Sequence, residues 1–443
     1  MRRAILLVTS SVVKPPPFDL RTLPERIAPL RIAAFTATSA AGIGNAALLA
    51  SLRARASGLA PNDFTTTPLL TWIGRVAQLE SLADSLTFPA EHARWDCSNN
   101  RLAWLALQQD GFLDAARGAI ARRGAARVAV LLGTSTSSIA ASEDAYAHLS
   151  DAGRFPEHLR RAEVHSLHST ATFVQRCLGA AGPCATVSTA CSSSAKVFAQ
   201  AARMLRTGVV DAAIVGGVDT LAGSTLSGFH ALGLVSPTPC RPFDVARDGI
   251  SIGEAGGFAL LERDVVLSKR RDLGDERFAP LLIGYGESSD AHHMSAPHPD
   301  GAGARFAIDA ALARAGMTAA DVDYINLHGT ATQKNDAIEA RVVADLFPPS
   351  TRASATKGWT GHTLGAAGIV EAVVTLLALR EGFVPGTLNT GRLSAECGPQ
   401  LRIANETAEL RVALSNAFAF GGNNCVLAFA RNASASMRSR AVS

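Results

Sequence analysis

The chain alternates short apolar runs with stretches whose apolar residues recur every three or four positions. That is the pattern of buried strands alternating with amphipathic helices. It starts near Arg31, where RIAAFTATSAAGIG reads as a strand entering a Gly-rich turn, with a helix at about 45–56. A helical stretch over 98–123 precedes VAVLLGTSTSS at 128–138, a buried strand running into a polar loop. A helix at 170–178, a strand before Cys191, a helix to about Arg206 and strands at 212–217 and 256–262 follow. The pattern reopens at Leu281 with a strand to Tyr285, a helix at 303–315 and a strand at 323–328 that ends on His328. A helix at 335–346, a long helix at 362–381 beginning on His362, and strands at 411–415 and 424–430 complete it. Strand and helix alternate twice over, each half closing on adjacent strands. This predicts an α/β architecture with covered, largely parallel sheets. Residues 60–92 show no clear period, and residues 1–29, with Pro15-Pro-Pro17, read as an extension that packs outside or is partly disordered. The division expected is 1–29, a half at 30–278, a half at 279–431 and a tail at 432–443.

Composition narrows the class. Of 443 residues, 47% are apolar and 18% charged, with mean hydropathy +0.16, so much of the chain is buried. A formal charge of +4 is too small to indicate nucleic-acid binding. No run reaches the roughly eighteen apolar residues of a membrane span. The first eight residues hold a short apolar run followed by Ser-Ser, without a convincing cleavage site. Seven cysteines without a CxxC pair fit reduced thiols in a cytoplasmic protein. Lysines number 5 against 37 arginines, so a lysine inside a motif is uncommon here.

Cys191 sits in VSTACSSSA, where a short strand turns into a small-residue helix. A thiol at a helix start meets the positive end of the dipole, which favours its thiolate, and free N–H groups there suit acyl transfer. A cysteine in such a segment is otherwise a small packing residue, the reading given to Cys177, Cys184, Cys240, Cys397 and Cys425. Partners decide for Cys191. His328 precedes the loop Gly-Thr-Ala-Thr at a strand end, where active sites of α/β folds collect. Lys357 and His362 are held in one tight turn, KGWTGH, and SNAFAFGGNN (415–424) places two aromatics before a glycine pair, as a mobile lid would.

VSTACSSSA, HGTAT, TKxxTGHTLGAAG and FGGNN, in that order, resemble the β-ketoacyl-acyl-carrier-protein synthases of the thiolase superfamily, in the elongating branch, over residues of about 30–431. The resemblance implies a thiolase-like fold of two pseudo-duplicated halves in a layered α-β-α-β-α core. It implies an acyltransferase that joins an acyl thioester on Cys191 to malonyl-carrier protein by decarboxylative Claisen condensation, with His328 and His362 assisting decarboxylation. Lys357 supports the site electrostatically with Glu371 beside it, and the N–H groups of Cys191 and Phe420 form the oxyanion hole, Phe420 being the gate. Thr330, Thr332 and Asp290 support the site, and Asp290–Pro297 matches a second gating loop. Thr134 and Thr136 replace a Gly/Ile-rich run lining the acyl pocket. Neither metal nor organic cofactor is implied, because phosphopantetheine arrives on the acyl carrier protein. Arg241 and Arg247 are candidates for docking that acidic carrier, or else internal ion pairs with Asp244 or Asp248. The biological assembly implied is a homodimer or a heterodimer with a related subunit.

Three departures stand out: Gln333 where proline is common, Ala419 where glycine is usual, which would stiffen the gate, and the threonine-rich 134–136 run. ESSDAHHMSAPHP, HGTATQKND and SNAFAFGGNN look closest to ketosynthases of aryl polyene-type clusters. The alternative is a non-catalytic ketosynthase-like subunit that sets chain length, though such subunits typically lack the cysteine retained here. A degradative thiolase would need a second cysteine in the closing Gly-rich loop, and Cys425 follows that loop inside a strand.

Overall fold

The computed structural model describes residues 24–65, 68–76, 79, 88–263 and 280–431. Most of the expected extension and the whole tail lie outside them. Along the path of the main sheet, five strands fall in the first half: β1 Leu30–Ser39, β2 Val128–Gly133, β3 Cys184–Val187, β4 Ala212–Asp219 and β5 Ala255–Arg263. Five fall in the second: β6 Leu281–Ser289, β7 Tyr324–Asn326, β8 Arg352–Ser354, β9 Val412–Ala419 and β10 Asn423–Ala430. The first half is ordered β3-β2-β4-β5-β1 and the second β8-β7-β9-β10-β6. Each half therefore runs third, second, fourth, fifth, first. The directions repeat too: β2 is parallel to β3 and β4, and β7 to β8 and β9, while the β4–β5–β1 and β9–β10–β6 pairs are antiparallel. The sheets are thus mixed where largely parallel ones were expected. In the second half β9 returns as β10 through the short turn at 420–422, and in the first half β5 comes back antiparallel to β4 after a longer excursion that includes the helix Gly223–Ala231. A short antiparallel contact, Leu30 with Leu282 and Arg31 with Leu281, joins the two sheets.

Helices fill three layers. α1 (Gly44–Ala54), α5 (Ser193–Arg206) and α8 (Ala367–Glu381) share one apolar core with the inner faces of both sheets. α2 (Ser98–Leu107), α3 (Phe112–Arg123) and α4 (Ser169–Leu178) cover the first sheet outside. α6 (Ala302–Ala315) and α7 (Gln333–Leu346) cover the second. α8 is buried from Ala367 to Leu379, as a helix between two sheets must be. This is the thiolase-like α-β-α-β-α stack.

The predicted helix over 98–123 is two helices. Asp110 and Gly111 take positive φ (55° and 69°), and the Asp110 carboxylate accepts from Thr36 Oγ1 at 2.7 Å and from the Asn45 N–H at 2.9 Å, near the start of α1. Asp110 thus serves a second helix instead of continuing its own. Within the last residues of the expected 1–29 extension, Ile27 is buried and its N–H donates to Arg314 O at 2.8 Å.

Candidate active site

Cys191 lies between β3 and α5, two residues before the first helical residue. Ala190, at φ 51°, turns the chain there. A left-handed alanine costs about 1 kcal/mol or more, and the Ser193 N–H and Oγ, both bonded to Ala190 O (3.1 and 2.6 Å), hold it. The following residues are small because α5 enters between β2, β4 and α8. A Cβ on Gly133 would come within 2.2 Å of Ser194 N, and one on Gly368 within 2.5 Å of Ala195 N. Close backbone approach, more than helix propensity, dictates the small-residue run.

The two histidines come from the second half, and neither sits where the periodicity placed it. β7 ends at Asn326, and His328 leaves the sheet because the Glu339 carboxylate takes its N–H at 2.8 Å and that of Gly329 at 2.8 Å. His362 does not begin the long helix. Its N–H donates to Ser251 O (2.7 Å) and its carbonyl accepts from Gly253 (3.0 Å), a bridge with the first half that delays α8 to Ala367. Cys191 Sγ and one nitrogen of each ring lie within 4.8 Å of one another, and the rings meet edge to face at 5.4 Å. All three residues are buried.

Hydrogen bonds fix the tautomers. The Lys357 ammonium faces His328 Nδ1 at 3.3 Å, and its other bonds run to His328 O and to Glu371 Oε1. Three donors thus meet three acceptors. The Leu364 N–H donates to His362 Nδ1 at 3.1 Å. Both rings therefore accept at Nδ1 and carry their proton on Nε2. Burial, with the Lys357 charge adding to it, holds both imidazoles well below their ordinary pKa, so both are neutral. Burial likewise raises Glu371 to about 7 against the pull of Lys357.

The thiol differs from expectation. Burial pushes Cys191 up to about 12, offset only in part by Lys357 and by the N–H groups of Phe420 and of Cys191 itself. Desolvation outweighs the helix start, which lies two residues away, so the resting nucleophile is a thiol and not a thiolate. The same two N–H groups are those aimed at the sulfur.

Phe420 opens a turn in which Gly421 and Gly422 take φ 76° and 68°. Its ring lies 5.9 Å from that of Phe229. Ala419 sits at φ −108°, ordinary extended backbone, so alanine brings no strain to the gate at that position. The expected second loop is bonded to the first: Gly421 N–H to Met294 O (2.7 Å), Asp290 N–H to Gly422 O (2.9 Å), and Asn424 Nδ2 to Asp290 Oδ1 (2.8 Å). A cavity of about 390 Å³ runs from Cys191, His328 and His362 past Thr330 and Thr332 to exposed Lys334. The Thr330 and Thr332 hydroxyls bond each other at 2.8 Å.

Four expected residues do not join this site. Thr134 and Thr136 are absent from the cavity wall, because both hydroxyls turn on to Asp219. Arg247 is buried, with bonds to the carbonyls of Asp244 (3.0 Å), Gln333 (3.0 Å) and Thr332 (3.3 Å). Arg241 bonds Thr238 and lies 3.9 Å from Asp248. These arginines are internal struts. Conversely, sequence reading passed over Glu339 and Asp336, which hold the His328 loop; Asp336 accepts from Thr330 N–H (2.9 Å) and Ala331 N–H (3.0 Å). Two acids one helical turn apart, just after HGTAT, were the available signal. All seven cysteines are free. Among the described residues no helix is long and apolar enough to cross a membrane.

Residues 90–265 match the β-ketoacyl synthase N-terminal domain and residues 281–391 its C-terminal domain. A 3-oxoacyl-[acyl-carrier-protein] synthase 2 of Rhizobium meliloti (strain 1021) is 41% identical over 263 residues, 56% of this chain and 61% of the relative. The mitochondrial 3-oxoacyl-[acyl-carrier-protein] synthase of Arabidopsis thaliana is 39% identical over 267 residues, 57% of each. The chain thus spans about three fifths of the length of these curated relatives. A solved complex of a ketosynthase (ApeO) with its chain length factor (ApeC) from Xenorhabdus doucetiae contains a similar chain, at TM-score 0.80 and 36% identity, covering 91% of this chain and 98% of that one. The ishigamide ketosynthase/chain length factor matches at TM-score 0.79 and 26% identity, over 93% and 100%. With two domain matches falling in order on the two halves, and a homologous fold covered almost end to end, the chain belongs to the β-ketoacyl synthase family.

Proposed function

We propose that this chain is a β-ketoacyl-acyl-carrier-protein synthase, condensing an acyl group carried on Cys191 with a malonyl-carrier thioester. One observation carries the reading: a buried thiol shares a cavity with two neutral imidazoles, both protonated at Nε2. The Cys191 thiol attacks the acyl-carrier carbonyl while the N–H groups of Cys191 and Phe420 bind the oxyanion. With the thiol near pKa 12, its proton leaves in the same step and ends on the departing carrier sulfur, so no standing base is needed. Malonyl-carrier protein enters next, past Thr330 and Thr332. The Nε2–H groups of His328 and His362 donate to its thioester oxygen, the carbon–carboxylate bond breaks, and carbon dioxide leaves an enolate. The enolate carbon attacks the acyl-Cys191 carbonyl. Collapse expels the Cys191 sulfur, which takes up a proton, and the chain departs two carbons longer as a β-ketoacyl thioester. No step calls for a metal or an organic cofactor, since phosphopantetheine belongs to the carrier.

The retained cysteine and histidines favour this reading over a non-catalytic chain-length-setting subunit. The pathway we favour is fatty acid or polyene/polyketide assembly, the aryl polyene type being supported by the motif likeness. The assembly is a homodimer or a pair with a related subunit, and the likeness to ketosynthase and chain length factor complexes supports the pair. Such an enzyme works in the cytoplasm. The test is intact-mass measurement after incubation with a panel of acyl-carrier proteins, followed by malonyl-carrier protein. An acyl adduct on Cys191, then a β-ketoacyl-carrier product, is expected. An unmodified chain across the panel overturns the proposal.

Carrier docking should involve Lys334, which reaches the cavity mouth from the first turn of α7. Lys334→Glu is expected to raise KM for the carrier protein with kcat unchanged, about fivefold at low salt. An unchanged KM places docking elsewhere.

A further inference from the structure

Asp219 ends β4 fully buried, and its carboxylate collects neutral donors from two directions. One set comes from the loop after β2: Thr134 Oγ1, Ser135 N–H (2.9 Å) and Oγ (3.0 Å), and Thr136 N–H (3.0 Å) and Oγ1 (2.8 Å). The other is the Gly365 N–H, at 2.6 Å, which also reaches Ser135 Oγ at 3.2 Å. The two oxygens offer about four lone-pair sites to these six donors, so some bonds are shared, as the Gly365 N–H is with Ser135 Oγ, and an ionic acceptor strengthens the bonds it takes. Those bonds offset the desolvation of a fully buried anion.

What this clamp holds lies one residue from His362's own hydrogen-bond donor. Gly365 packs so closely that a Cβ would come within 2.5 Å of Ser135 N and 2.6 Å of Asp219 Oδ2. Leu364, immediately before it, takes φ 54°, an unfavourable left-handed pose that needs an external hold. In that pose its N–H donates to His362 Nδ1. The order of restraint is Asp219, Gly365, Leu364, His362. Of these four, only His362 lines the cavity and meets substrate.

We propose that Asp219 is a positioning residue: by clamping Gly365 it holds Leu364 left-handed and so fixes His362 as the Nε2–H tautomer that decarboxylation uses. This rests on the condensing function proposed above. It gives the threonine-rich 134–136 run a role as the other jaw of the clamp. The first half of the fold thereby sets the proton position on a histidine of the second.

The test is Asp219→Asn, which keeps the shape but puts an NH2 donor where an acceptor is needed. Two half-reactions are followed: acylation of Cys191 by an acyl-carrier thioester, read by intact mass, and decarboxylation of malonyl-carrier protein. Acylation is expected to be unchanged and decarboxylation to fall about 10²-fold, the loss typical of a mispositioned group. The 15N spectrum of histidine-labelled protein should show His362 losing its single Nε2–H tautomer. Ser135→Ala, which removes one hydroxyl of the clamp, should lower the same half-reaction less, and it decides the matter if Asp219→Asn does not fold. Unchanged decarboxylation, or equal loss in both half-reactions, overturns the inference. Wild-type protein inert in both half-reactions overturns the functional reading instead, and the 15N signature still tests the geometry by itself.

Discussion

Cys191→Ala is expected to form no acyl-enzyme and no β-ketoacyl product, while malonyl-carrier protein still loses carbon dioxide. The two outcomes separate because the proposed mechanism divides the labour of the site. The sulfur is the one atom in the scheme that holds the acyl group, and alanine offers nothing to acylate. Decarboxylation asks only for donors to the thioester oxygen, and those belong to His328 and His362, fixed by Lys357 and by the Leu364 N–H and not by the thiol. The substitution is also mild for the fold. Small residues already surround position 191, and deleting one sulfur from a buried site costs about 1 kcal/mol. The protein should therefore unfold near the wild-type temperature. Condensation surviving in Cys191→Ala would displace Cys191 from the mechanism, and loss of decarboxylation along with it would show that the thiol shapes the malonyl site.

The residues that the proposed mechanism uses were legible in the sequence in part. Cys191, His328, Lys357, His362 and Phe420 were all legible, because each lies in a short motif whose residue types have a chemical reason to be together. The architecture was legible as well, since the strand and helix periods differ and recur in the same order twice. The positions of the histidines within their elements were not. Hydrophobic period sees the strand into His328 and the helix after His362, but what ends that strand is a distant carboxylate, Glu339, and what delays that helix is pairing to Ser251 and Gly253. The state of the thiol was misread for a similar reason. A helix start can be located in sequence, whereas full burial of the sulfur depends on packing against the second half. Thr134 and Thr136 show the same limit: the family resemblance implied a pocket wall there, and only the fold reveals the Asp219 carboxylate that both hydroxyls bond.

His328→Ala and His362→Ala are each expected to lower malonyl decarboxylation by about 10²–10³-fold, roughly 3–4 kcal/mol, the cost of removing one preorganised donor from a developing oxyanion. Acylation of Cys191 should survive in both, since the N–H groups that serve that step are backbone groups. The double variant should be little worse than either single one, because two donors to one oxygen act as a unit. A neutral side-chain amide tests whether hydrogen bonding alone is the contribution. His362→Asn, which can present an N–H without a titrating ring, should recover part of the loss, whereas a cationic requirement would leave it as inactive as alanine. The geometry argues for the neutral donor. Lys357 stands 3.3 Å from His328 Nδ1, and a second positive charge on either ring would face that ammonium inside a buried site. If turnover is unchanged in one of the alanine variants, that histidine leaves the mechanism. If His362→Asn is as poor as alanine while His328→Asn recovers, the two rings are not equivalent donors, and proton transfer at His362 must replace hydrogen bonding in the scheme.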